Sequence, residues 1–496
     1  MAARLFDVRL RNVDPDLYAA FPTALLHIEH TAQMIRLMLY GLGSEKKRDT
    51  VLVWVCCGGN THRWWRYCII PDSREHRLIV EWFHIQNDVM MALMDTSSRF
   101  LAQVSRIQQA VRAQPGLDGW LFYDFRHLDP IAYRVLLLDP AMHVTRRWYY
   151  WVPAVGTPVK LQHRIEPHVL EALPGDVRFY VSWREQQAAL RTLLQSAKRI
   201  AMQYSPMNAI PYLSRVDAGT VDLLRSWGLE VVTSADLVQQ FEAVWDGAQL
   251  ASHQVAATGL RAIVDEAFAF IGTSLAAGSS LTEYQLQQYI LSRMHARGLV
   301  TSSPPIAAVN AHSADPHYGP SAEGSAPICQ GDLVLIDLWA KQPEARAVYA
   351  DITWTGFVGK VVPARQQDVF QIVRQARDAA VTFVQARVRA GAFPYGWEVD
   401  DVCRQVIQQA GYGEYFVHRT GHSIGEEVHG NGANIDNLET QDARQLLPST
   451  CFSIEPGIYL PGDFGIRSEL DVYLSANDAV VHGQPVQTEL VAIPPP

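Results

Sequence analysis

The chain is poor in the features that would place it in a membrane, on nucleic acid or in an oxidising compartment. No stretch of its 496 residues approaches the roughly 18 consecutive apolar residues that span a bilayer as a helix. The N-terminal MAARLFDVRLRN sets charges where a signal peptide has its apolar centre, so a cytoplasmic address is expected. Basic residues are outnumbered, 42 Lys and Arg against 51 Asp and Glu, for a formal net charge of −9. That balance has no basic stripe of the kind nucleic-acid binding demands. The six cysteines, Cys56, Cys57, Cys68, Cys329, Cys403 and Cys451, are scattered without a C-x-x-C pair. They read as free thiols in a reducing compartment and exclude a zinc ribbon. No internal repeat at a period of about 20 to 50 residues is evident.

What the chain has is length, more than one ordinary core absorbs, so two or three domains are expected. Residues 1–93 stand apart: three of the cysteines and Trp54, Trp64, Trp65 and Trp82 fall there, and WVCCGGNTHRWWRYCII shows no clean helical or strand period. They are either an extension ahead of a start at Met94 or a small oligomerisation or lid module. In residues 94–236, Phe100, Val104, Ile107 and Val111 recur at helical spacing until Pro115 and Gly116. Runs at 120–125, 148–154, 177–183, 199–204 and 229–234 then read as strands alternating with helices, which predicts a mixed α/β domain with a partly parallel sheet.

Residues 237–496 form the third segment. Leu237, Phe241, Val244, Val255, Leu260, Ile263 and Phe270 read as one long helical stretch. Phe370, Val373, Arg377, Val381, Val384 and Val388 form a stripe ended by Gly391, and Val399, Val402, Val406 and Ala410 another ended by Gly411. Both stripes are expected to face a core. The IPPP tail reads as a frayed end.

The strongest signal is chemical. Asp337 in VLIDLWA, Asp351 in YADITWT, Glu455 in FSIEPGIY and Glu469 in GIRSELDVYL each interrupt an apolar run, where an unpaired charge is costly to bury; His422 lies in RTGHSIG. Any one of these acids alone reads as a surface charge or a carboxylate paired with Arg; five donors together call for a shared cation. Oxygen donors with one imidazole suit a divalent ion such as Mn²⁺, and four carboxylates are more charge than one ion usually collects, so two ions are expected. Strand, turn and strand bring Asp337 near Asp351 through residues 341–346, and Glu455 near Glu469 through Pro461, Gly462 and Asp463. Both pairs are 14 residues apart, an even spacing that favours one sheet face.

These five residues, with Gly421 to His429 as GH-xx-G-xxx-H, Ser453 to Gly457 as S-I-E-P-G and Gly465 to Glu469 as G-I-R-x-E, resemble the M24 "pita-bread" metallopeptidases, the family of methionine aminopeptidase, aminopeptidase P and prolidase. The segment from about Asp236 onward resembles their catalytic domain, and the sequence from Met94 resembles the start of an aminopeptidase P-type N-terminal domain. The resemblance implies an α/β creatinase/prolidase-like N-terminal domain followed by an α+β pita-bread domain with an antiparallel sheet. It implies a homodimer and two divalent ions, most simply Mn²⁺ with Co²⁺ or Zn²⁺ as alternatives. Asp337, Asp351, His422, Glu455 and Glu469 would be the metal ligands, with Asp351 and Glu469 bridging.

The implied reaction is cleavage of the peptide bond before proline by a metal-bridging hydroxide, as an Xaa-Pro aminopeptidase or an Xaa-Pro dipeptidase. Glu455 would also shuttle the proton, and His418 and His429 would donate to the oxyanion. Glycines at 421 and 425 would let the backbone close in on the site. His317 in NAHSADPHYGP, His429 and Arg467 would contact substrate, Arg467 alternatively orienting Glu469 or pairing with a neighbouring acid, and Thr353 would bond a ligand carboxylate. Two departures from the family pattern stand out: a longer turn, KQPEARAVYA, between the aspartates, and Leu470 then Asp471 where an acid usually follows the second glutamate directly. The alternatives are metal-free creatinase-like chemistry and a non-catalytic binding protein on the same scaffold.

Overall fold

The computed structural model describes the backbone of residues 23–30, 33–40, 51–57, 64–71, 78–83 and 87–494, and side chains from 98 to 494. The dodecapeptide at the N-terminus and the side chains of Cys56, Cys57 and Cys68 lie outside the described residues. Residues 1–102 and 103–496 form two compact units.

In the first unit β1 (Thr23–His30), β2 (Gln33–Tyr40), β3 (Val51–Cys57), β4 (Trp64–Pro71) and β5 (Leu78–Phe83) pair in order as an antiparallel sheet. The cysteine- and tryptophan-rich stretch with no readable period is thus two strands on either side of residues 58–63, which are outside the described set. A helix, Asn87–Ala113, leads out of it, with Val104, Ile107 and Val111 buried in the expected stripe.

The second unit begins with a mixed sheet of β6 (Gly119–Asp124), β7 (Trp148–Pro153), β8 (Val159–His163), β9 (Asp176–Tyr180), β10 (Arg199–Met202) and β11 (Glu230–Thr233). Its order is β11-β10-β6-β7-β8-β9, parallel across β11-β10-β6 and β8-β9 and antiparallel between. All five runs read as strands are strands; β8, VKLQH, is the one its polar composition concealed. β6 is buried at every position, as a central strand covered on both faces must be, while β9 at the edge is exposed for most of its length.

The remainder is built as two similar halves. In one, the helices Gly247–Ala276 and Glu283–Ala296 pack on β12 (Ile306–Val309), β13 (Leu333–Ala340) and β14 (Ala350–Val358), joined by a C-terminal strand. In the other, Ala364–Arg389 and Gly396–Gln409 pack on β15 (Ser423–Ile424), β16 (Cys451–Ile454), β19 (Leu470–Leu474) and β20 (Ala479–Val481), with the hairpin β17 (Gly457–Leu460) and β18 (Phe464–Arg467) between β16 and β19. The C-terminal strand is β21 (Val491–Ile493), parallel to β14 with Ile493 buried, so the first residue of the IPPP tail is held in a strand, while Pro495 and Pro496 lie outside the described residues. Each fully buried aliphatic or Phe side chain in these cores contributes about 1.5–3 kcal/mol.

Two helical readings are corrected. The stretch from Leu237 to Phe270 is two helices, Ala235–Glu242 and Gly247–Ala276, because Asp246 and Gln249 form a reciprocal capping box that starts a new helix, and Val255 is exposed. In Gly396–Gln409 the buried apolar side chains are Val399, Cys403 and Ile407; Val402 and Val406 flank that face and Ala410 is exposed. The Phe370 stripe is buried as read except at Val381, which is half-buried, and it includes Arg377, whose Nη1 donates to the Ser468 hydroxyl at 2.6 Å.

Close backbone approach shapes the junction of β15 and β16. Ser453 N–H donates to the His422 carbonyl at 2.9 Å, and a Cβ on Gly421 would lie 1.9 Å from the Ser453 carbonyl oxygen. Gly425 differs from expectation, since the nearest atom to its Cβ position is 3.5 Å away, an ordinary contact. Gly421→Ala is therefore expected to destabilise by roughly 1–3 kcal/mol through overpacking against backbone, and Gly425→Ala by much less; thermal unfolding of the two variants side by side measures the difference.

Candidate metal centre

β13 and β14 pair with Asp337 opposite Thr353 and Trp339 opposite Asp351, so Asp337, Asp351 and Thr353 share one face of the sheet. The even spacing reads out as anticipated. Every residue of β14 is buried, which places the Asp351 carboxylate in the interior.

Pairing across the second hairpin follows the same logic for Glu455 and Glu469. Ser453 pairs with Asp471 and Gly457 with Arg467 in one continuous register, which sets Glu455 opposite Glu469 at the break between the two ladders. There each backbone N–H turns to another strand or loop: Glu455 donates to the Thr420 carbonyl at 2.7 Å and Glu469 to the Thr353 carbonyl at 3.2 Å.

His422 completes the group from the loop before β15. Its Nδ1 faces the Ser423 carbonyl at 3.3 Å and so carries the proton, leaving the Nε2 lone pair 3.3 Å from Glu455 Oε1 and 3.6 Å from Asp351 Oδ2. Donor atoms of Asp351, His422 and Glu469 lie within 4.8 Å of one another. Asp337 Oδ1, Asp351 Oδ1 and Glu469 Oε1 are buried with no hydrogen-bond partner. Electron pairs facing one another in a dry interior need a cation or protons between them, so this donor set fits a divalent ion. Burial raises the carboxyl pKa of Asp351 well above its usual range, with Glu469 and Asp337 adding to it; burial, Glu455 and Asp337 do the same to Glu469. Burial lifts Glu455 to about 7 despite Arg467, and burial holds the His422 imidazole neutral.

Arg467 is the hub behind these acids. Its Nη2 bonds Asp337, its Nε donates to Thr353 Oγ1 at 3.1 Å and its Nη1 to the Tyr459 hydroxyl at 3.0 Å. Thr353 passes the contact on, donating from Oγ1 to Glu469 Oε2 at 2.8 Å, as anticipated for that residue. Each of the three guanidinium nitrogens bonds protein, which gives Arg467 the pairing with a neighbouring acid that its sequence position allowed. Buried at 3% exposure, it needs those partners.

His418 also departs from its expected placement. Nδ1 donates to the Arg419 carbonyl at 2.7 Å, and Nε2 accepts from the Tyr459 hydroxyl at 2.8 Å. Burial, then Arg467, pulls the imidazole down to about 3, so it is neutral and has no free N–H for an oxyanion. The His429 ring stands edge-on to His422, 4.4 Å between centroids, with an open face to solvent, and its pKa is held down to about 4 by partial burial, then Arg419 and His317. His317 is exposed and close enough for its charge to act on His429.

Tyr459 and Asp471 are the residues that sequence reading missed. Tyr459 sits four residues past Glu455 in an apolar hairpin, where a tyrosine reads as core, and Asp471 stands out in the sequence only as a departure from pattern.

Sequence and structure comparisons extend these observations. Residues 251–476 match metallopeptidase family M24. The Xaa-Pro dipeptidase of Lactobacillus delbrueckii subsp. lactis is 33% identical over 198 residues, 40% of this chain and 48% of that protein. The chain thus spans about half the length of that curated relative. Dipeptidase PepE from Mycobacterium ulcerans superposes with a TM-score of 0.62 at 25% identity, covering 80% of this chain and 99% of that one. The prolidase from Thermococcus sibiricus superposes with a TM-score of 0.54 at 24% identity, over 79% of this chain and 99% of that one, and shows the fold. An α/β domain ahead of paired helix-and-antiparallel-sheet halves is the prolidase-type, pita-bread architecture. Residues 251–476, the part of the chain that matches metallopeptidase family M24, contain every donor of this centre.

Proposed function

We propose that this protein is a dinuclear-metal hydrolase that cleaves the peptide bond before proline, and that Asp337, Asp351, His422, Glu455 and Glu469 are the residues that would hold the ions. The observation that carries the reading is the set of buried acceptor atoms facing one another without partners. Four ionised carboxylates against the single guanidinium of Arg467 leave the cluster strongly negative; one divalent ion leaves it negative still, and a second takes it just past neutrality. Mn²⁺ is the best match to oxygen-rich ligands with one imidazole, with Co²⁺ and Zn²⁺ compatible. When bound, the ions would supply Lewis acidity and a water acidic enough to attack a carbonyl near neutral pH.

The chain's own groups take the remaining tasks. Glu455, held by the Ser453 hydroxyl at 3.1 Å with its Oε1 3.3 Å from the His422 imidazole, would carry the proton from the attacking water to the leaving nitrogen. His429, neutral and open on one face, is the donor to the developing oxyanion, and the exposed His317, near enough for its charge to act on His429, is a substrate contact. His418 keeps Tyr459 in place from behind. An Xaa-Pro amide has no N–H, which gives a dedicated site its physical purpose. The Xaa-Pro dipeptidase and dipeptidase names of relatives support this substrate class. The intact donor set argues against creatinase-like and purely binding roles.

The same reading includes residues 94–236 as the domain that limits substrate length, and a homodimer, supported by Val177, Phe179 and Val181 exposed along the unpaired edge at β9. A cytoplasmic location accords with the free thiols of Cys329, Cys403 and Cys451.

Turnover of an Xaa-Pro dipeptide against an Xaa-Pro-Xaa tripeptide, after chelation and again after Mn²⁺ return, tests the assignment: activity is expected to vanish on chelation and to come back. Asp351→Ala is expected to abolish activity with the far-ultraviolet circular dichroism unchanged, and a wild-type rate in it would refute the ligand set. Because burial and mutual repulsion raise the pKa values of Asp351, Glu455 and Glu469, these groups hold protons that an incoming ion must displace. Affinity for Mn²⁺ is therefore expected to rise from about pH 6 to about pH 8 with net proton release, measured by calorimetry in buffers of different ionisation enthalpy.

A further inference from the structure

The outer edge of β14 has an unusual set of partners. Its inner edge pairs with β13 along the whole strand, but β21 reaches only Gly356 to Val358 on the other side. Upstream of Gly356 the outer edge is satisfied by side chains and loops: Thr355 exchanges two bonds with the Gln487 amide, the Thr353 carbonyl accepts from Glu469 N–H, and Asp351 N–H donates to Asp471 Oδ2 at 3.0 Å. A buried carboxylate thus occupies the place of a neighbouring strand next to Asp351.

The approach to Asp351 is pinned as well. Ser252 Oγ accepts from Val348 N–H at 3.2 Å, His253 Nδ1 donates to the Tyr349 carbonyl at 2.7 Å, and Tyr349 N–H donates to the Gly425 carbonyl at 2.9 Å. His253 Nε2 then lies 3.8 Å from Asp471 Oδ2. Both side chains are fully buried, and Asp471 Oδ1 and His253 Nε2 have no hydrogen-bond partner. Ionisable groups are costly to bury, and an apolar pair would fill this space more cheaply. What they secure is the end of the long turn KQPEARAVYA, which would otherwise enter β14 with only one edge held.

We propose that Asp471 and His253 are positioning residues that hold the first residues of β14 so that the Asp351 carboxylate stays at the metal centre. The inference rests on the metal reading above. Asp471 supplies by side chain the bond to the Asp351 amide that no neighbouring strand provides, and His253 on the helix Gly247–Ala276 ties the same strand to the first half of the fold. Partners of this kind, one contact removed from a metal ligand, are typically worth about 10–100-fold in metal affinity.

The test titrates Co²⁺ into the full-length metal-free protein, following the visible absorption of the bound ion and the heat of binding, with kcat and KM for an Xaa-Pro dipeptide as a second readout. Asp471→Ala is expected to bind Co²⁺ about tenfold or more weakly with an altered spectrum, and to lower kcat with little change in KM. Asp471→Asn keeps an acceptor for the Asp351 amide and is expected to restore most of the affinity. Wild-type affinity and spectrum in a folded Asp471→Ala would overturn the proposal, as would equal losses in the two variants. Should Asp471→Ala not fold, His253→Phe keeps the ring volume and removes the Tyr349 bond; undiminished Co²⁺ affinity in it would overturn the proposal. Failure of the unaltered protein to bind Co²⁺ would remove the metal reading itself, a result distinct from normal binding in the variants.

Discussion

Repulsion among buried electron-pair donors is the constraint on which this molecule turns. Asp351, Glu455, Glu469 and His422 point lone pairs at one another from backbone that cannot retreat, because each sits beside a strand end fixed by a neighbouring ladder. In a medium of effective dielectric about 20, two like charges about 4 Å apart cost about 4 kcal/mol, so several together are tolerable only with protons or cations between them. The fold therefore stores a demand for positive charge and meets part of it with Arg467.

That demand explains the arrangement of the halves. The first supplies Asp337 and Asp351 from β13 and β14; the second supplies His422, Glu455 and Glu469 around β15 to β19. Arg467 and Thr353 join them, touching Asp337, Tyr459 and Glu469 at once. Neither half holds a complete donor set, so the site exists only where the sheets meet. The α/β domain is tied to the same region: Tyr212 bonds Arg444, Asp442 and Asn434, and Arg134 grips Glu242, which also holds Asn431. Asn434 in turn accepts from Ser423 N–H beside His422. The loop carrying His429 is thus braced from the preceding domain.

Much of this was legible because short-range rules govern it. Strand alternation, an even spacing between acids and glycine-marked helix ends are local, and they anticipated β6, β7, β9, β10 and β11, the shared face of Asp337 and Asp351, and the bond from Thr353 to Glu469. Errors arose where a cap or an edge decided. The Asp246 capping box broke a stripe that periodicity ran together, β8 was hidden by Lys160 and Gln162, and Ile493 found a strand partner far away in sequence.

The sequence alone determined which side chains were available: acids in apolar runs, a histidine between glycines, and their order along the chain. Those are matters of composition and of the two-residue strand period, which act over a few positions. Tertiary structure decided where each donor atom points. It turned Arg467 inward to Asp337, set Tyr459 against His418 so that this imidazole has no free proton to offer, and brought Asp471 to the Asp351 amide across 120 residues of chain. Contacts of that separation depend on how two sheets stack, which no local pattern encodes.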